Sequence, residues 1–152
     1  MSIIRADISD IETVKYITTE TINSIYPRYY PEGAVDFFLG HHNDKNIEND
    51  IRVGIVYLCF DNENNAVGTV TVKENEICRL FVLPEYQGNG YGKELISFAE
   101  NKISEKYNEI ILHASLPAKA IYLKKGYKEL EFHSIKTENG DYLCYDMMIK
   151  QI

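Results

Sequence analysis

At residues 87–92 the chain reads QGNGYG, three glycines in six positions. The apolar run RLFVLPEY leads into it, and KELISFAENKI leads away. Tyr91, Leu95, Ala99 and Ile103 then recur at fourfold spacing, which is one face of a helix. The stretch therefore reads as strand, glycine turn, helix, and this commits the chain to a mixed α/β fold. A helix start leaves unpaired amides and a partial positive charge. Glycines let a ligand come close to those amides, so the turn is suited to a phosphate or pyrophosphate. Backbone dihedrals alone would also account for the glycines, and the loop by itself leaves both readings open.

Spacing removes two nucleotide motifs. A P-loop ending on Gly92-Lys93 needs glycine at 87 and Ser or Thr at 94, where the chain has Gln87 and Glu94. A G-x-G-x-x-G fingerprint needs its third glycine where the chain has Lys93 or, in the other register, Leu95.

The other elements follow from period changes. Residues 2–6, SIIRA, read as a short strand. Ser9-x-x-Glu12 has the form of a capping box, and Ile11, Val14, Thr18, Ile22 and Ile25 then mark a helix that stops before Pro27. Residues 32–40 read as a short second helix, and HHNDKNIEND after them as a loop or fraying helix end. RVGIVYLCF, AVGTVTV and EICRLFVL are three strands joined by polar turns. After the glycine turn and its helix, EIILHAS is a strand and Pro117 opens another helix that runs to Gly126. YKELEFHSI and YLCYDMMI close the chain as a hairpin. The order β-α-α-β-β-β-α-β-α-β-β describes one domain over 1–152 with an antiparallel-rich sheet.

At 152 residues the chain is long enough to bury a core without disulfides or metals. Its 16 basic and 23 acidic side chains give a net charge of -7, which argues against nucleic-acid binding. Cys59, Cys78 and Cys144 are odd in number and far apart, as expected of buried free thiols in a reducing compartment. No pair has metal-ligand spacing, and His41 and His42 read as loop residues. With 45% apolar composition and no long apolar run, the expectation is a cytoplasmic chain without a membrane span.

Gln87-Gly88-Asn89-Gly90-Tyr91-Gly92 resembles Q/R-x-x-G-x-G/A, the pyrophosphate loop of the GNAT superfamily of N-acetyltransferases. ICRLFVLPEY resembles that family's fourth strand and its exit, and AKAIYLKKGY its A-x-x-x-Y-x-K-x-G-[FY] segment, with a second lysine at Lys125. The element order agrees over nearly the whole chain. The resemblance implies a single-domain GNAT fold, a mixed, mostly antiparallel sheet of six to seven strands flanked by about four helices. It also implies acetyl-CoA as co-substrate and an N-acetyltransferase activity.

The same resemblance assigns site residues. Phe81 and Val82 would flank the pantetheine arm, with a backbone amide near Val82 as oxyanion donor. Gln87, Gly88, Asn89, Gly90, Tyr91, Gly92 and Lys93 would hold the pyrophosphate. Ser115 stands where many members carry Asn, and its hydroxyl is a partial substitute. Tyr122 is the expected acid for the thiolate leaving group. An ammonium with pKa ~10.4 must lose a proton before it attacks. Glu76, eleven residues before Gln87, is the candidate base; water-relayed deprotonation is the alternative, and His113 ranks after both. The loop of Tyr26, Arg28, Tyr29 and Tyr30 would meet the acceptor, through cation–π contacts or through a carboxylate on Arg28.

The expected partner is a small-molecule amine, acetylated directly in a ternary complex because no nucleophilic Cys or Ser is evident. A peptide or protein acceptor and a non-catalytic acyl-CoA sensor are the alternatives. YLCYDMMI is apolar on both faces, which would suit a homodimer.

Overall fold

Two hydrophobic clusters lie on opposite faces of a seven-stranded sheet. The computed structural model describes all residues, 1–152. Its strands are β1 (Ser2–Arg5), β2 (Val56–Phe60), β3 (Ala66–Lys73), β4 (Glu76–Val82), β5 (Glu109–Ala114), β6 (Lys128–Lys136) and β7 (Tyr142–Gln151). The helices are α1 (Ile11–Ile25), α2 (Glu32–His41), α3 (Asp44–Arg52), α4 (Tyr91–Ser104) and α5 (Leu116–Lys124). Short 3₁₀ turns at Tyr26–Arg28 and Pro84–Tyr86 follow α1 and β4.

The sheet order is β1-β2-β3-β4-β5-β7-β6. Every pairing is antiparallel except β4 with β5. That parallel pairing lasts only two residue pairs, Glu76 with Ile111 and Ile77 with Leu112. Beyond them the strands separate, and the edge of β4 over Leu80–Val82 has no strand beside it. The hydrogen bond from Leu83 N to Val67 O, 2.9 Å, turns Leu83 toward β3. Strand alternation then turns the Val82 amide into the gap.

β4 also carries a bulge. Val70 pairs with Leu80 but Val72 pairs with Ile77, so β4 holds one extra residue. As a result Ile77, Leu80 and Val82 all pack with the α4 cluster despite the odd spacing of Ile77 and Leu80, while Phe81 joins the α1–α3 cluster. The bulge thus rotates the lower part of β4 relative to the part that borders the gap.

Three local expectations give way. The capping box lies two residues earlier than expected: Asp7 Oδ1 accepts from Ser9 N at 2.8 Å and Asp10 Oδ2 from Asp7 N at 2.9 Å. Asp–x–x–Asp satisfies the same amides as Ser–x–x–Glu, and the turn it caps leads straight into α1. The segment read as a loop or fraying helix end holds a separate helix, α3, which buries only Ile47 and Ile51 and is capped by Asn43, whose side chain accepts from Asn46 N. Of the cysteines only Cys59 is buried; all three are free.

β7 lies between β5 and β6, so both of its edges are paired within the sheet. No helix is long and apolar enough to cross a membrane.

Candidate active site

The turn after β4 is built by its glycines. Gly88 and Gly90 have φ of +80° and +91°, a region that L side chains rarely adopt. A Cβ at either position would meet nothing within 4 Å, so dihedral need and open space coincide there. Gln87 Nε2 donates to Val82 O at 2.9 Å and Asn89 Nδ2 to Tyr86 O at 3.2 Å, which fold the turn back on β4. Gly90 caps α4 with no side-chain bond, and no protein group accepts from the amides of residues 88–93. Those amides and the positive end of α4 are directed toward open space, as an anion site requires.

A cavity of about 360 Å³ leads from this turn into the gap between β4 and β5. The glycines and Lys93 line its mouth, Val82 and Phe81 its side, and Ser115, Tyr26 and Tyr122 its inner end. An elongated ligand with a pyrophosphate at one end and an apolar arm at the other fits this layout. Thr21 Oγ1 donates to Val82 O at 3.3 Å, so that carbonyl is occupied while the Val82 amide is not.

Tyr122 is buried, and burial raises its phenol well above the ordinary value. It therefore stays protonated and able to donate. Tyr26 is also buried and raised by burial, and its hydroxyl sits beside Ser115.

A second cavity, about 340 Å³, lies on the other side of the gap. α2 forms its roof with Phe37, Phe38 and His41, and Ile135, Leu143 and Tyr145 form its wall. Its floor holds Glu76, Cys78 and His113. Glu76 Oε1 lies 3.0 Å from His113 Nδ1. That bond holds Glu76 below the usual carboxylate range and raises His113 above the usual imidazole range. Cys78 is exposed at this floor, next to Glu76 along β4. His42 is held down to about 3, first by burial and then by Arg79, and stays neutral. Ser115 is the one residue that lines both cavities.

The roof is fastened to the wall. Asp141 Oδ2, in the turn between β6 and β7, accepts from Gly33 N at 2.9 Å and so caps α2 from another element. Gly33 packs directly on Asn139 of the same turn, and a Cβ there would collide with that carboxamide.

The acetyltransferase (GNAT) domain model matches residues 25–148. The chain belongs to the GNAT family. It is accordingly an acetyltransferase that uses acetyl-CoA. The same fold occurs in the GCN5-related N-acetyltransferase of Rhodopseudomonas palustris, at 19% identity and a TM-score of 0.89, covering 99% of this chain and 95% of that one. PaiA N-acetyltransferase of Thermoplasma acidophilum, solved with coenzyme A, aligns at 21% identity and TM-score 0.75, covering 99% and 98%. Naa50 of Arabidopsis thaliana, bound to a CoA–peptide bisubstrate analogue, aligns at 22% and 0.69, again covering 99% and 98%. No curated protein matches the chain in sequence.

In this GNAT chain the first cavity gathers most residues expected at the cofactor: Phe81, Val82, Gln87, Gly88, Gly90, Gly92, Lys93 and Ser115. Asn89 and Tyr91 lie outside it. Asn89 stiffens the turn, and Tyr91 packs edge-on to Tyr86. Thr21 and Ile96 also line it and were missed, because α1 and α4 reach the gap only through the fold, while Leu80 and Ile121 line it from within the two segments quoted for the resemblance.

The aromatic loop is divided. Tyr26 faces the first cavity, not the second. Tyr30 is buried, accepting from Leu116 N at 2.7 Å and donating to Cys144 O at 3.2 Å. Arg28 and Tyr29 are exposed and line neither cavity. The second cavity is instead walled by α2, β6 and β7. His41 and His42, read as loop residues, are the last residue of α2 and its C-cap, and both line this cavity.

Proposed function

We propose that the chain transfers an acetyl group directly to a small primary amine seated in the second cavity. The observation that carries this reading is the Glu76–His113 pair on the cavity floor, beside the gap where the two cavities meet at Ser115. Acetyl-CoA supplies the acyl carbon and a thiol leaving group.

The chain's own residues supply the rest. Glu76 engages His113 at Nδ1, which leaves Nε2 free to take a proton from the entering ammonium. Glu76 is thus a positioning residue, and His113 takes the part of base that the sequence alone offered first to Glu76. The unpaired Val82 amide donates to the oxygen on which charge builds. Tyr122, kept protonated by burial, donates to the departing sulfur. His113 takes one proton from the ammonium and passes it to solvent, the N–C bond forms, His113 takes the second proton from the adduct nitrogen, and the C–S bond breaks as Tyr122 gives a proton to the thiolate. Solvent exchange then restores both groups.

A second reading, a peptide N-terminus as acceptor, draws on one observation. A polar groove of about 670 Å³ lined by Asp36, Lys136 and Glu138 adjoins the second cavity through Phe37 and His41. Thiol release from acetyl-CoA, measured over small amines and short peptides, separates the two. Turnover confined to peptides would overturn the small-amine reading.

A further inference from the structure

The second cavity has a definite chemical character. Phe37, Phe38, Ile135, Leu143 and Tyr145 make it aromatic and aliphatic, and no lysine or arginine lines it. Its only acidic residue, Glu76, is already engaged by His113. At about 340 Å³ it lies at the small end of the roughly 300–1,000 Å³ usual for ligand sites. From this, and resting on the amine-acetyltransferase reading above, we infer that the acceptor is a compact amine with an apolar carbon skeleton, flat or branched, and no carboxylate.

Three features of the cavity lead there. An amino acid would place its carboxylate beside Glu76, and no lysine or arginine lines the cavity to offset the loss of water. A polyamine would bury a second ammonium against Ile135 and Leu143, where no carboxylate is free to pair with it. A long polymer is disfavoured by the fastening of α2 to the β6–β7 turn through Asp141 and Gly33, which fixes the roof over the site. An apolar skeleton, by contrast, removes its own surface and the cavity's from water together. The amine's charge can lie over the aromatic faces until His113 takes the proton.

The test measures kcat/KM for phenethylamine, isoamylamine, spermidine, an amino acid and a short peptide, with acetyl-CoA binding followed by calorimetry. The expected result is preference for phenethylamine or isoamylamine by at least tenfold. Equal or better turnover of spermidine, the amino acid or the peptide overturns this acceptor class and leaves acetyl transfer standing. Binding of acetyl-CoA with no thiol release from any amine overturns the underlying reading as well. Two variants add an independent check. Phe37→Asp, on an exposed part of α2, and Ile135→Asp, on the edge strand, place a carboxylate in the cavity wall. Each is expected to lower kcat/KM for phenethylamine by tenfold or more and to leave the acetyl-CoA Kd unchanged. Unchanged phenethylamine turnover in two folded variants would also overturn the assignment.

Discussion

Glu76 reaches His113 across the only stretch where β4 and β5 run side by side, 3.0 Å from carboxylate to imidazole. Glu76 stands on the first of the two paired rungs, opposite Ile111, and His113 is the residue just past the second, where the strands part. The pair therefore spans the point where the paired stretch ends and the gap begins.

This pair sets a pH signature. His113 must be neutral to accept a proton, and Glu76 raises its pKa, so kcat/KM should rise with pH through a limb above the ordinary imidazole value of about 6.5. Glu76→Gln removes the raising partner, and the limb should move to lower pH. His113→Asn should abolish it and lower kcat on the order of 10²-fold. A pH profile of thiol release for the three proteins checks this; an unmoved limb in Glu76→Gln would count against the pair. The stability signature is smaller, because both groups are partly exposed. Glu76, lowered, stabilises the fold above the ordinary carboxylate value and loses that contribution as pH falls. His113, raised, contributes below about 6.5 and loses its share as pH rises through its folded value.

Tyr122→Phe isolates the acid. Tyr122→Phe keeps the buried ring and takes away only the hydroxyl, which borders the first cavity, so the change should not unfold the chain. The expected result is a fall in kcat of about 10²-fold, with the acetyl-CoA Kd within a factor of two or three of wild type. Stopped-flow thiol detection and calorimetry measure the two quantities, and an unchanged kcat would remove Tyr122 from the reaction.

The glycine turn separates two kinds of requirement. Gly88→Ala and Gly90→Ala place a Cβ at positive φ and should cost about 1–2 kcal/mol of stability each. Gly92 has an ordinary φ, and a Cβ there would lie 3.9 Å from Val82 Cγ2, an easy contact. Gly92→Ala should therefore leave the melting temperature nearly unchanged, so any loss of acetyl-CoA affinity reports close approach of the ligand. Thermal melts with and without acetyl-CoA distinguish these outcomes.

Asp141→Ala removes the cap that α2 receives from the β6–β7 turn. A lost N-terminal cap typically costs about 1 kcal/mol. Acceptor KM should rise several-fold while acetyl-CoA KM stays level, because α2 roofs the second cavity and does not line the first. Equal changes in both constants would show that the cap serves the whole fold and not the acceptor site.

Much of the first cavity's lining was legible in the sequence because it is local. Residues 87–93 are contiguous, their glycines announce an unusual backbone, and Tyr122 lies in a second contiguous block. The second cavity is assembled from Phe37 and His41 on α2, Glu76 on β4, His113 on β5 and Tyr145 on β7, and no short motif spans them. α3 escaped notice because it buries a stripe only two residues wide, Ile47 and Ile51, within a polar run. The aromatic loop was visible, but its direction was not. Tyr30 turns inward because its hydroxyl ties the Leu116 amide to the Cys144 carbonyl, a bond between segments 86 and 114 residues away.

Ser115 alone borders both cavities. That narrow seam gives the molecule two compartments that can diverge at different speeds. On the proposed division of the site, substitutions in α2 or the β6–β7 hairpin would change the acceptor without disturbing how acetyl-CoA is held. Exchange of those two segments between homologous chains is therefore a practical route to new acceptors on an unchanged donor platform.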